Sequence, residues 1–164
     1  MKRISFPRLL LLSLAIFAST LQALWADFPS GPNEQTTPGT LCERSSEYRY
    51  PEKIKYCKRN VSSATKKQVI AIYENKLGFE INKFGRENFK IDHLIPLCAG
   101  GSNNASNLWP QHKSVYAITD PLEEPLCRKM QEGKLRQSDA IALIIEAKLN
   151  LDRADDILDQ IQAL

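Results

Sequence analysis

The stretch FKIDHLIPLCAGGSNNASNLWPQH, residues 89–112, decides how this chain is read. Apolar and polar residues mix at its two ends, and Gly100-Gly101 with a run of Ser and Asn fills the middle. That pattern predicts a short strand, a glycine-rich loop and a second short strand. Asp92 and His93 stand side by side where the first strand ends, with Pro96 three residues on. Neighbouring side chains on a regular strand point to opposite faces. For both to serve one site the backbone near Asp92 must bend, and Pro96 and the glycine pair suit an irregular loop there. Asn107, followed by Leu-Trp-Pro-Gln, opens the second strand.

These residue types suit hydrolysis at phosphorus. A water must lose a proton as it attacks, and a neutral histidine has its proton affinity near working pH. The charge of the transition state and of the leaving oxygen suits a divalent cation on hard oxygen ligands. An Asp-His dipeptide alone is a weak signal. The combination DHxxPL, GG and NLWPQ resembles the HNH (His-Me finger) nucleases. Arg49 to Ile70 and Leu126 to Leu135 are similar to the flanks found in small exported bacterial members of that group. The resemblance implies a ββα-metal finger. It implies that His93 is the general base, that Asp92 binds one divalent metal, Mg2+ with Mn2+ or Zn2+ as alternatives, and that Asn107 pins the loop so that His93 is aimed. The family takes a further ligand, His or Asn, from the start of the following helix. The corresponding region, Val115 to Ala117, contains neither, and His112 and Asp120 flank it as substitutes.

Each residue also has a plainer reading. His93 suits a core histidine bonded to a backbone carbonyl, Asp92 an orienting carboxylate, and His112 a surface group. Trp109 is read as core rather than as a base-stacking platform.

The first 26 residues read as a secretory signal peptide, with Lys2, Arg3 and Arg8 before the apolar run Leu9 to Leu21, and Ala26 as the cleavage position. An uncleaved anchor is the alternative, but the run is short for a membrane span. Asp27 to Thr40, rich in Pro and Gly, reads as an extended or disordered lead-in, and residues 41–164 as the nuclease-like domain. Of the 22 Lys and Arg, three lie in the leader, so the remainder carries 19 basic and 19 acidic residues. Net charge therefore gives no argument for a polyanion. The distribution is uneven: Glu43 to Lys90 holds 12 basic and 6 acidic residues, Ile91 to Leu164 holds 7 and 11. The basic half is consistent with a face toward a polyanion, and its Lys and Arg between Arg49 and Lys67 with a phosphate groove, with a solvated face as the plainer reading.

Cys42, Cys57, Cys98 and Cys127 form an even set in a chain read as exported, which predicts two disulfides. The spacings lack the close pairs of a zinc site. Three pairings are open, and Cys42–Cys57 with Cys98–Cys127 is favoured. The first closes a short loop in a region of little hydrophobic periodicity. The second ties the loop past His93 to a helical segment expected beneath it.

Elsewhere the periodicity predicts helices over Ser63 to Leu77 and Ser138 to Leu149, with an acidic amphipathic segment from Asp152 to Leu164. Asp120-Pro121-Leu122-Glu123 has the form of a helix start. The sum is an α+β fold with a ββα-metal finger, flanking helices and two disulfide staples. The activity expected from the resemblance is that of a periplasmic or secreted divalent-metal-dependent endonuclease. It would act on DNA, or also RNA, with little sequence preference and no stable membrane association. A non-catalytic binding module on the same scaffold is the first rival. An exported nuclease toxin with an immunity protein as partner is the second.

Overall fold

The computed structural model describes residues 28–164. The signal peptide expected over residues 1–26 lies outside the described residues. Among these, no helix is long and apolar enough to cross a membrane.

Among the described residues, two small antiparallel sheets and four α-helices make an α+β fold. β1 (Tyr48–Arg49) pairs with β2 (Ile54–Lys55). α1 (Ser63–Leu77) begins at Ser62, whose side chain accepts from the Thr65 amide, and stops at Gly78, where φ is +77°. Only glycine adopts that left-handed conformation without strain. β3 (Phe89–His93) pairs with β4 (Leu108–His112) in the register Phe89 to His112, Asp92 to Trp109 and His93 to Leu108. α2 (Lys113–Gln131) follows directly, then α3 (Gln137–Leu149) and α4 (Ala154–Gln162).

The Asp120-Pro121 signal does not mark a helix start. α2 begins at Lys113, and His112 caps it by accepting from the Ser114 amide through its side chain. Pro121 and Pro125 both lie inside the helix. Each removes one backbone hydrogen bond and costs about 3 kcal/mol in an exposed helix interior. Burial of Val115, Leu122, Leu126 and Met130 offsets that cost.

The chain encloses two apolar clusters. One joins α1 to the β3–β4 hairpin through Val69, Tyr73, Phe89, Ile91, Leu108 and Trp109. The other joins α2, α3 and α4 through Leu94, Ile95, Leu126, Ile144, Ile157 and Ile161. Ile91 belongs to the first cluster and Leu94 to the second, so the chain passes between the two cores at Asp92-His93. Side chains three positions apart on an extended strand point to opposite faces, so the crossing needs no bend at Asp92: the ladder keeps its register through His93 and ends only after Leu94. Trp109 is fully buried, a core residue.

The lead-in, residues 28–40, has no regular helix or strand but packs on the domain. Thr37 Oγ1 donates to Leu108 O at 3.1 Å and lies 2.9 Å from Tyr73 Oη. Leu41 bridges Gly101, and the Cys42 amide donates to Gly100 O at 2.8 Å. The disulfides are Cys42–Cys57 and Cys98–Cys127, the favoured pairing. Two such bonds suit an oxidising compartment.

Candidate active site

Backbone geometry after β3 sets the site. Beyond His93 the Leu94 amide still donates to Asn107 O, at 2.8 Å, and then the ladder ends. Pro96 leads into a tight turn at Leu97–Ala99, which Gly100 closes with φ +85°. Gly101 has no room for a side chain, since a Cβ there would lie 1.9 Å from Ile95 O. Asn107, fully buried, holds the loop from within. Its Oδ1 accepts from the Ile95 amide at 2.9 Å, and its Nδ2 donates to Ile95 O at 3.0 Å and Ser102 O at 2.9 Å.

His93 is oriented by a residue the sequence reading did not single out. Asn103 Nδ2 donates to Lys58 O at 2.8 Å, so its Oδ1 must face His93 Nε2, 3.1 Å away. Nε2 is therefore the protonated nitrogen and Nδ1 carries the lone pair. Among the described residues Nδ1 has no hydrogen-bond partner, and it is not a buried orphan. Burial holds the imidazole below its ordinary pKa, and the Arg59 charge adds to this. The Asn103 hydrogen bond and the Asp92 charge act the other way without reversing it. The ring is thus neutral at pH 7, the form a general base requires.

Asp92 shares its carboxylate with lysines. Oδ2 lies 3.2 Å from Lys148 Nζ, and Oδ1 lies 3.7 Å from Lys90 Nζ. Burial raises the carboxyl pKa, but the Lys148 and Lys90 charges outweigh it and the net shift is downward. Lys148, from the last turn of α3, has no exposed surface. Its Nζ also donates to His93 O at 2.7 Å and to Glu123 Oε1 at 2.9 Å. Burial lowers its pKa, yet Asp92 and Glu123 outweigh that and hold it charged.

Asp92 and His93 line one cleft of about 250 Å³ with Arg49, Tyr56, Arg59 and Glu123, and the Cys98–Cys127 disulfide forms part of its wall. Arg59 is fixed by donation from Nη2 to Ile91 O at 3.1 Å, and the Arg49 guanidinium lies 3.3 Å over the Tyr56 ring. The cleft thus joins a neutral base to exposed guanidinium groups suited to phosphate oxygens.

The other two expected ligands lie elsewhere. His112 sits at the opposite end of the hairpin from His93, stacked on Phe28 at 3.9 Å and bonded to Ser114. Asp120 pairs with Lys90, which links it only indirectly to Asp92. Among the described residues, no three of His, Cys, Asp and Glu converge as a metal-binding group. A divalent ion on Asp92 does not fit this arrangement, because Lys148 holds the position between Asp92, Glu123 and His93 O.

Comparison of the chain with protein-family models, curated proteins and solved structures gives no match.

Proposed function

We propose that the protein hydrolyses phosphodiester bonds in nucleic acid, with His93 as general base. The observation that carries this reading is His93 itself: neutral, fixed at Nε2 by Asn103, and free at Nδ1 beside a cleft lined by Arg49 and Arg59. The succession of β3, β4 and α2 supports a ββα finger. In the proposed step, Nδ1 takes a proton from water as its oxygen attacks phosphorus, the ester P–O bond opposite breaks, and the leaving sugar oxygen takes a proton from solvent, after which the imidazolium returns its proton to water. Arg59 and Arg49 meet the charge that grows on the phosphoryl oxygens. Asn107 and Asn103 take no part in bond making, but they hold the loop and the ring so that Nδ1 faces the cleft. Among the described residues no helix presents an evident base-reading surface, which favours DNA or RNA cleavage with little sequence preference. The two disulfides support an exported site of action.

The test is degradation of plasmid DNA and of single-stranded RNA by the oxidised protein, with His93→Ala beside it. Cleavage by the wild type that the variant loses supports the reading. Cleavage unchanged in the variant removes His93 from the mechanism. Retention of nucleic acid without cleavage favours the binding-module alternative.

A further inference from the structure

We propose that the Lys148 ammonium is the resident cation of this site and takes the place of a divalent metal. The corollary, which rests on the phosphodiesterase reading, is that cleavage needs no metal and the substrate's charge falls to Arg59 and Arg49.

An ammonium has three N–H donors. Three oxygens, two from β3 and one from α2, meet Lys148 Nζ: His93 O at 2.7 Å, Asp92 Oδ2 at 3.2 Å and Glu123 Oε1 at 2.9 Å. Every donor is therefore satisfied. The spacing is that of N–H···O bonds. Divalent magnesium would want six oxygens at about 2.1 Å, and calcium six to eight at about 2.3–2.6 Å. With the ammonium in place, the three oxygens stand at its own bonding distances and leave no position for a second cation.

Nor does Lys148 have an evident way out. It is fully buried, beside Ala147 and one turn from Ile144, both without exposed surface. The lead-in crosses the same turn of α3: a Cβ on Gly31 would lie 2.9 Å from Lys148 O. A metal entering between Asp92 and Glu123 would meet an ammonium that cannot withdraw, at a cost in like-charge repulsion that a low-dielectric site amplifies. Lys148 does not face substrate. It is a positioning residue that fixes the Asp92 carboxylate and the main chain at His93 together.

The probe is Mn2+ alone, titrated into the oxidised protein while free Mn2+ is followed by electron paramagnetic resonance. The wild type is expected to show no saturable uptake up to roughly 10⁻³ M, the weak end of protein calcium sites. Saturable uptake that Asp92→Asn removes overturns the proposal. This arm needs no folded Lys148 variant. In a second arm, Lys148→Met keeps the length of the stem and removes the charge. Where circular dichroism shows the variant folded, it is expected to gain Mn2+ uptake, with a melting temperature that rises in Mn2+. A folded variant that takes up no Mn2+ overturns the assignment of the cage as a cation site. Nuclease activity is read separately. Wild-type cleavage that persists in chelator supports the corollary, and cleavage that stops overturns it. Absence of any cleavage removes the phosphodiesterase reading, while the Mn2+ arms still decide the cation.

Discussion

Asn107 pairs with the main chain of Ile95 as a neighbouring strand would. Its side-chain amide accepts from the Ile95 amide at 2.9 Å and returns a bond to Ile95 O at 3.0 Å. One buried side chain thus replaces the ladder that ended at Leu94, and the loop that follows His93 hangs from it. Asn107→Ala would leave buried groups of Ile95 and Ser102 unpaired. At about 1–3 kcal/mol for each such group, the variant is expected to lose about 3 kcal/mol or more of stability in urea unfolding. Activity should fall further than the unfolded fraction accounts for, because the aim of His93 depends on that loop.

His93→Ala is expected to lower kcat by roughly 10²- to 10⁴-fold, the usual contribution of a positioned base. The ring is buried and bonded to Asn103, so the melting temperature should fall as well, and the rates are compared well below the variant's own transition. A wild-type rate in the variant, measured on plasmid nicking, would show that the base lies elsewhere.

The pH dependence follows from the lowered pKa of His93. The acid limb of kcat/KM is expected below pH 6.5, since only the neutral ring accepts a proton. Asn103→Asp, which sets a carboxylate against Nε2, should move that limb to higher pH. Stability has a definite sign as well. The unfolded chain protonates its histidine near 6.5, while the folded ring resists. The contribution of His93 is therefore complete above pH 6.5 and is lost as the pH falls from there toward the folded pKa. His112 is shifted in the same direction by burial and Lys113. Urea midpoints measured just below pH 6.5 should fall less steeply in His93→Gln than in the wild type. Equal slopes would mean the His93 ring is not held neutral by the fold.

The two disulfides should separate in their effects. Cys42–Cys57 spans 15 residues and Cys98–Cys127 spans 29, which the chain-entropy account values at about 3 to 4 kcal/mol each. Replacing either pair by serine should lower the melting temperature by a similar amount. Only the Cys98/Cys127 pair lines the cleft, so its loss should also lower kcat at temperatures where both variants remain folded. Equal specific activity in the two variants would detach that bond from the site.

Asp92, His93 and Asn107 were legible in the sequence because their relation is local: a strand end, a turn and a strand start within 16 residues. Lys148 and Glu123 were not, and Arg59 was legible only as one of the Lys and Arg between Arg49 and Lys67 that suit a phosphate groove. Lys148 reads as an ordinary charge in the last turn of a helix, and only the packing of α3 against the loop turns it inward. Arg59 lies in a segment without periodicity, and its contact with Ile91 O spans 32 positions. Asn103 had a weak signal in the run of Ser and Asn after Gly101, but nothing in it names the partner. The Asp120-Pro121 start failed for a physical reason. Its local chemistry suits a first turn, yet the apolar stripe from Val115 to Met130 favours one continuous helix. His112, weighed as a ligand, instead supplies the cap that lets that helix begin at Lys113.

The covalent links carry a consequence for the cell that makes this protein. One closes the loop that precedes Arg59, and the other, in the wall of the cleft, ties the turn after Pro96 to α2. A chain newly synthesised in a reducing interior has neither clamp, so the base and the guanidinium groups are not yet held together. On the proposed activity, assembly of the nuclease waits for the thiols to oxidise. Such a site would then be completed only outside the reducing interior that holds the producer's chromosome and transcripts.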